Sequence, residues 1–201
     1  MNNMQIFTFL FLMLGPFKII GPFAKITMGA TPALTRQIAI RAIFFSAVAL
    51  LLAGLIGETM LSKFGIPLPI LGIAGGIILF LVALLNIIHQ FAPATSQGEN
   101  VITPTMNMAV SPLAFPTIVT PYGIAAVIIF LAMCPDLNSK LAVGAIVLAI
   151  MVLNLIFMLI TRYIFKPLSI ILAVLGAILG IIQVALGLMV IYNQLNNLLK
   201  L

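Results

Sequence analysis

The sequence predicts an all-α, polytopic membrane protein: six transmembrane helices in a single domain, arranged as two inverted three-helix repeats with helices 1 and 4 discontinuous. Three observations lead there. Apolar residues make up 64% of the chain and charged residues 6%, where a soluble domain carries roughly 25% charged residues. The few charges separate long uncharged stretches at 42–57, 64–88, 100–135, 141–161 and 167–199, and a further apolar run at 6–24 is interrupted by Lys18. Proline and glycine cluster inside two of these stretches at corresponding places. The mean hydropathy of +1.35 suits a surface solvated by hydrocarbon. Backbone groups in lipid must be paired internally, and the alternating segments of about ten residues that mark a transmembrane barrel do not occur, so the spans are expected to be helices.

About 20 residues cross the hydrocarbon core, which places spans near 6–27, 42–62, 67–89, 106–133, 141–162 and 169–194. Span 1 has no basic residue ahead of its long apolar run, so it is expected to be a membrane helix and not a cleaved signal peptide. It reads Leu14-Gly15-Pro16-Phe17-Lys18-Ile19-Ile20-Gly21-Pro22. Proline lacks an N–H and its ring strikes the preceding turn, and a neighbouring glycine eases departure from the helix. Two Gly-Pro pairs therefore predict a break. Span 2 is plain and follows the basic residues Arg36 and Arg41. Span 3 contains Gly72 and Gly76. Span 4 holds Pro112, Pro116 and then Thr120-Pro121-Tyr122-Gly123, which predicts a second break. Its uncharged stretch, 100–135, also has room for a re-entrant limb. Span 5 carries Asn154, and span 6 carries Gly176, Gly180 and Gln183. For each break the alternative is a simple proline kink repaired by neighbouring helices.

The two halves correspond. Leu71-Gly72-Ile73-Ala74-Gly75-Gly76-Ile77-Ile78 resembles Leu175-Gly176-Ala177-Ile178-Leu179-Gly180-Ile181-Ile182, at an offset of 104 residues. Gly15-Pro16-Phe17 matches Thr120-Pro121-Tyr122 at an offset of 105. This divides the chain into a first repeat at 1–92 and a second at 105–201. A unit of three spans ends on the side opposite its start, so its copy must be inverted. Gly72 with Gly76 and Gly176 with Gly180 have the small-xxx-small spacing of close helix packing.

With six spans, the tails and the 2–3 and 4–5 turns share one side, holding Lys63, Lys140 and Lys200. The other side holds Lys25, Arg36, Arg41, Arg162 and Lys166. The larger basic count marks the second side as cytoplasmic, with both termini facing outward from a cell (inner) membrane. The nine Lys and Arg are scattered, so the net charge of +6 points to loops beside a lipid bilayer and not to nucleic acid. Cys134 alone cannot form an internal disulfide, and it reads as a small apolar residue near a helix end.

Two broken half-helices meeting at mid-membrane could hold a small zwitterion: their N-terminal ends favour a carboxylate and the freed carbonyls accept from an ammonium. The candidate substrate-binding residues are Gly15, Pro16, Phe17, Lys18, Thr120, Pro121, Tyr122, Gly123 and Gln183. Lys18 lies near the middle of span 1, where a charge costs roughly 2.5–3.5 kcal/mol on insertion scales. It is read either as a carboxylate partner whose charge can change during a cycle, or as a side chain snorkelling toward Lys25. Gln183, Asn154 and Ser46 can equally serve as interhelical hydrogen bonders. His89 suits the interface better than a metal site, and Glu58, Glu99 and Asp136 read as loop or helix-end residues. With one His, one Cys and no acidic pair, no enzyme activity, cofactor or metal is expected. A small-molecule transporter is the leading reading. A channel or a non-transporting scaffold is the alternative, and homo-oligomerisation is left open.

Four stretches resemble the MarC family of integral membrane proteins. Leu113-Ala114-Phe115-Pro116 through Thr120-Pro121-Tyr122-Gly123 is similar to the family's Pro-Leu-Ala-Ile-Pro and Gly-Pro-Gly-Ala segments, and Ile73–Leu81 to its third-helix signature. Thr31-Pro32 followed by Arg36 and Arg41 resembles its first basic loop, and Gly15-Pro16-Phe17-Lys18 falls at its Asn-Pro-Ile-Gly. The resemblance implies a layout like that of LysE-type exporters. It also implies a secondary transporter, with small neutral amino acids as the proposed cargo and a proton gradient as the driving force.

Overall fold

The computed structural model describes residues 3–91, 104–134 and 136–199, and side chains within these except at 89–91, 162 and 164–173. The expectations for His89, Glu99, Arg162, Lys166 and Lys200 lie outside the described side chains. The described chain is helical throughout its ordered elements. These are α1 (Asn3–Leu14), α2 (Phe17–Ile26), α3 (Pro32–Phe64), α4 (Leu68–Phe91), a short 3₁₀ turn (Met106–Ala109), an irregular wide coil (Val110–Ile118), α5 (Pro121–Ala132) and α6 (Leu137–Leu199).

Local chemistry explains where the elements begin and end. Thr31 caps α3 by accepting from the Leu34 N–H at 3.3 Å, with Pro32 at the first helical position where its missing N–H costs nothing. The same helix stops at Gly65, whose φ of +61° suits glycine. There Ile66 N–H donates to Leu61 O and Gly65 N–H to Ser62 O, the two bonds of a Schellman ending. Thr120 repeats the Thr-Pro start for α5, accepting from Gly123 N–H at 3.2 Å. Between Val110 and Ile118, Ser111 and Phe115 have extended φ/ψ; each precedes a proline, whose ring disfavours the helical region for its predecessor.

Five helical segments are long and apolar enough to cross a membrane: Asn3–Ile26, Pro32–Phe64, Leu68–Ile88, Leu137–Thr161 and Val174–Leu199. The pair Met106–Ile118 and Pro121–Ala132 makes a sixth when taken as one span bent by 64°. α6 contributes two of the six. Asn154 and Gln183 both hydrogen-bond to carbonyls near the end of α1, at Leu14 and Leu12. A straight helix would hold those two side chains about 43 Å apart, so α6 turns back on itself between them. Its arms are Leu137–Thr161 and Val174–Leu199.

Span 1 lies at the centre, half of its apolar window buried, whereas Val174–Leu199 is 11% buried by the same measure and lies at the edge. On α3 the buried residues Ile38, Ala39, Ala42, Ile43, Ser46, Leu50 and Gly54 recur every three or four positions, the spacing of one helix face. Phe44, Phe45, Leu52 and Leu55 are exposed on its remaining surface, as a lipid-facing helix requires. Lys140 at the start of α6 pairs with Glu58 near the end of α3. That ion pair puts the 2–3 and 4–5 turns on the same side.

Candidate functional site

The site begins with what Pro16 removes. An α-helix bonds each N–H to the carbonyl four residues earlier, so Pro16 leaves the Leu12 carbonyl without a donor. α1 ends at Leu14 and α2 begins at Phe17, which frees the carbonyls of Met13 and Leu14 as well. Gly15 lies buried in this joint, and a Cβ there would collide with the Phe11 carbonyl, so only glycine fits.

Each freed carbonyl is met by a side chain. Gln183 Nε2 donates to Leu12 O at 2.8 Å. Lys18 Nζ donates to Met13 O at 2.6 Å. Asn154 Nδ2 donates to Leu14 O at 2.8 Å. These donors come from the second arm of α6, from α2, and from the first arm of α6. Unpaired carbonyls in hydrocarbon cost several kcal/mol each, so the three caps let span 1 be interrupted at this depth. Asn154 Oδ1 and Ser46 Oγ are buried without a hydrogen-bond partner.

The interruption of span 1 lies against the start of α5. Leu14 packs onto Gly123, where a Cβ would come within 2.5 Å of its side chain. Lys18 Nζ stands 5.4 Å from the centroid of the Tyr122 ring, within cation–π range. Lys18 therefore turns back toward residue 13 and away from Lys25.

Tyr122 also lines a cavity of about 340 Å³ bounded by spans 1, 3, 4 and 6. Phe9 and Met13 form one wall, Gly75 and Gly76 another, and Ala125, Ala126, Ile129 and Phe130 a third, with Phe9 and Phe130 edge to face at 5.7 Å. Asn193, Gln194 and Asn197 add amides toward the tail-side end, beside Met133. From Tyr122 to Met133 the wall follows eleven residues of α5, about 16 Å of helix rise. The cavity therefore runs from the tail side to the level of the Pro16 interruption.

The sequence-predicted residues divide in their placement. Gly15, Pro16, Lys18, Thr120, Tyr122, Gly123 and Gln183 gather around the α1–α2 joint and the start of α5. Phe17 points elsewhere, edge-on to Phe11 and in ring contact with Phe157, both at 5.9 Å. Pro121 is exposed. Gly76 faces Gly187, where a Cβ on Gly187 would meet Gly76 O at 3.0 Å and Phe80 N at 2.9 Å. Gly72 faces Gln194 and Gly180 faces Ile87, while Gly176 is exposed. Sequence reasoning missed the amides at 193, 194 and 197. Their signal was present, because Asn193 and Gln194 stand four and three residues before Asn197, the spacings that bring side chains together on a helix. Among the described residues, no three His, Cys, Asp or Glu side chains gather as a metal site would require.

The comparisons with known proteins agree with this architecture. The family model described as "MarC family integral membrane protein" matches residues 2–199. Two UPF0056 membrane proteins of Methanocaldococcus jannaschii are similar. MJ1677 is 32% identical over 147 residues, covering 72% of this chain and 71% of the relative. MJ0972 is 26% identical over 196 residues, covering 96% and 86%. No solved structure matches the chain. A family match over nearly the whole length, on a helical chain with five to six apolar spans, leads to one conclusion: this protein belongs to the MarC family of integral membrane proteins.

Proposed function

We propose that the protein is a secondary transporter of small carboxylate-bearing metabolites, with its site at mid-membrane where the interrupted spans 1 and 4 meet. Neutral amino acids are the cargo class that the family resemblance implies. The observation that carries the reading is the adjacency of Lys18 and Tyr122 at the inner end of a cavity. A structural scaffold has no need of a cavity that ends at an aromatic ring backed by a lysine inside the membrane. Intramembrane ionisable residues mark substrate or ion pathways, and discontinuous helices at matching places in two halves point to a transporter's central site.

The inverted-repeat reading draws support from the same geometry. α2 starts just after Pro16 and α5 at Pro121, the two positions related by the offset of 105. Each half thus begins a half-helix at the same point of its repeat. In alternating access, one set of three spans would rock against the other around Tyr122 and Lys18. The cavity, lying on the tail side, would then be the entry route of one state, and a proton gradient would supply the drive. We place the protein in the cell (inner) membrane with its termini outward.

The test is counterflow in proteoliposomes loaded with single carboxylates or amino acids. Saturable exchange that is lost in Tyr122→Ala supports a carrier. Flux linear in concentration would indicate a channel, and no flux with any compound would indicate a scaffold.

A further inference from the structure

The cation near the centre of the membrane has no anion beside it. Among the described residues, the acids are Glu58 and Asp136. Glu58 is paired with Lys140, and Asp136 accepts from the Ser139 N–H and hydroxyl and from further backbone N–H groups at the start of α6. Lys18 is left with a backbone carbonyl and the face of a ring. Both are dipolar partners and neither cancels its charge. Charges inside membranes are found paired with one another or with carbonyls, facing a bundle interior or a cavity. The start of α5, one residue before Tyr122, adds the partial positive charge of a helix N-terminus to the same place.

The freed backbone carbonyls that would receive an ammonium each already have a donor, while Asn154 Oδ1 stays unpaired beside them. The carbonyls of Leu12, Met13 and Leu14 accept from Gln183, Lys18 and Asn154. Lys18 Nζ itself stands where the ammonium of a zwitterion would bond. The approach to this point is apolar along most of its walls, with amides at its tail-side end. A ligand matching these groups is anionic at one end and apolar along its body, and a cationic group on it would face Lys18 and the positive start of α5.

We infer that the cavity and Lys18 together form a binding site for a small organic monocarboxylate with an aliphatic body, in preference to the corresponding amino acid. This rests on the carrier reading above and narrows its cargo. The carboxylate pairs with Lys18 after the Tyr122 ring swings aside, and the aliphatic chain lies between Phe9, Met13, Ala126 and Val190.

The experiment compares pentanoate, 2-aminopentanoate and pentylamine on the purified full chain, by calorimetric titration and by counterflow in proteoliposomes. Pentanoate should bind at least ten-fold more tightly than 2-aminopentanoate, and pentylamine should not bind. Lys18→Met should weaken pentanoate at least ten-fold, and Lys18→Arg should restore it to within about three-fold of the parent. Val190→Trp, which fills the cavity without touching Lys18, should also abolish binding and provides the test if Lys18→Met fails to fold. Exchange of 2-aminopentanoate with none of pentanoate would overturn the carboxylate inference and leave the carrier standing. No saturable exchange of any compound would overturn both. Pentanoate binding unchanged in a folded Lys18→Met protein, or in Val190→Trp, would also overturn the inference.

Discussion

Gln183→Leu provides a direct test of how the interrupted first span is held together. The substitution keeps the side-chain volume nearly constant and removes the donor that lies 2.8 Å from Leu12 O. Leu12 O has lost its helical donor to Pro16, so the variant leaves a carbonyl unpaired in a partly buried place. Leaving such a group unpaired costs about 1–3 kcal/mol, while interhelical hydrogen bonds in membranes average about 0.6 and reach about 1.7 kcal/mol. The expected loss is therefore about 1–2 kcal/mol, measured by reversible unfolding of the purified protein in mixed detergent micelles. The mechanism also predicts a coupling. Pro16→Ala supplies an N–H at the position whose helical acceptor is Leu12 O. In that background Gln183→Leu should cost under about 0.5 kcal/mol, which makes the double-mutant cycle non-additive by about 1 kcal/mol. Equal costs in the two backgrounds would refute the assignment of Gln183 as the substitute for the missing proline donor.

Three other outcomes follow from particular contacts. Gly187→Leu should destabilise the protein by more than about 2 kcal/mol, because its side chain would press on backbone atoms of Gly76 and Phe80 that cannot yield. Gly144→Ala, whose Cβ would meet only Leu51 Cδ2 at an ordinary 3.9 Å, should instead be neutral or stabilising by about 0.4–1 kcal/mol; thermal melts of both variants check the contrast. Asp136, outside the spans, is held below its ordinary pKa by two hydrogen bonds from Ser139 and further backbone bonds. Its contribution to the start of α6 is present above the ordinary carboxylate pKa and lost as pH falls through the lowered value. Ser139→Ala should move that loss to higher pH, read from melting across an acid pH series. In a Cys134→Ser background, Lys63→Cys should react with an impermeant thiol reagent from outside intact cells, and Arg41→Cys only after permeabilisation. The reverse pattern would overturn the assignment of the five-residue basic side as cytoplasmic.

Much of the architecture could be read from the sequence alone. Uncharged windows of about 20 residues are a local property, and lipid imposes their helical state because no water is present to satisfy a bare backbone. That α1 gives way to α2 at Pro16, and that the path through Pro112, Pro116 and Pro121 is irregular, was legible for a related reason: a missing N–H and a ring clash act within one helical turn. The same holds for the Thr-Pro starts at Thr31 and Thr120. The sequence expectation for span 2 began near 42, whereas α3 begins at Pro32, because the polar residues Arg36 and Arg41 continue the helix beyond the apolar window.

The rotation of each helix about its own axis was decided only in the tertiary structure. In a soluble helix a polar face marks the outside, but here Phe44 and Leu52 face outward and Ile43 and Leu50 inward, and all four are apolar. Lipid and protein interior are equally hydrophobic solvents, so composition carries little about which side packs. That is why Gly76 meets Gly187 while Gly176 lies exposed, a pairing that the small-xxx-small spacing by itself did not specify. It is also why the caps on the freed carbonyls had to be found in space. Asn154 and Gln183 reach Leu14 and Leu12 across 140 and 171 residues of chain. The sequence determined that span 1 would need donors where Pro16 breaks it. The fold decided that two come from the arms of α6 and that the third is the ammonium of Lys18.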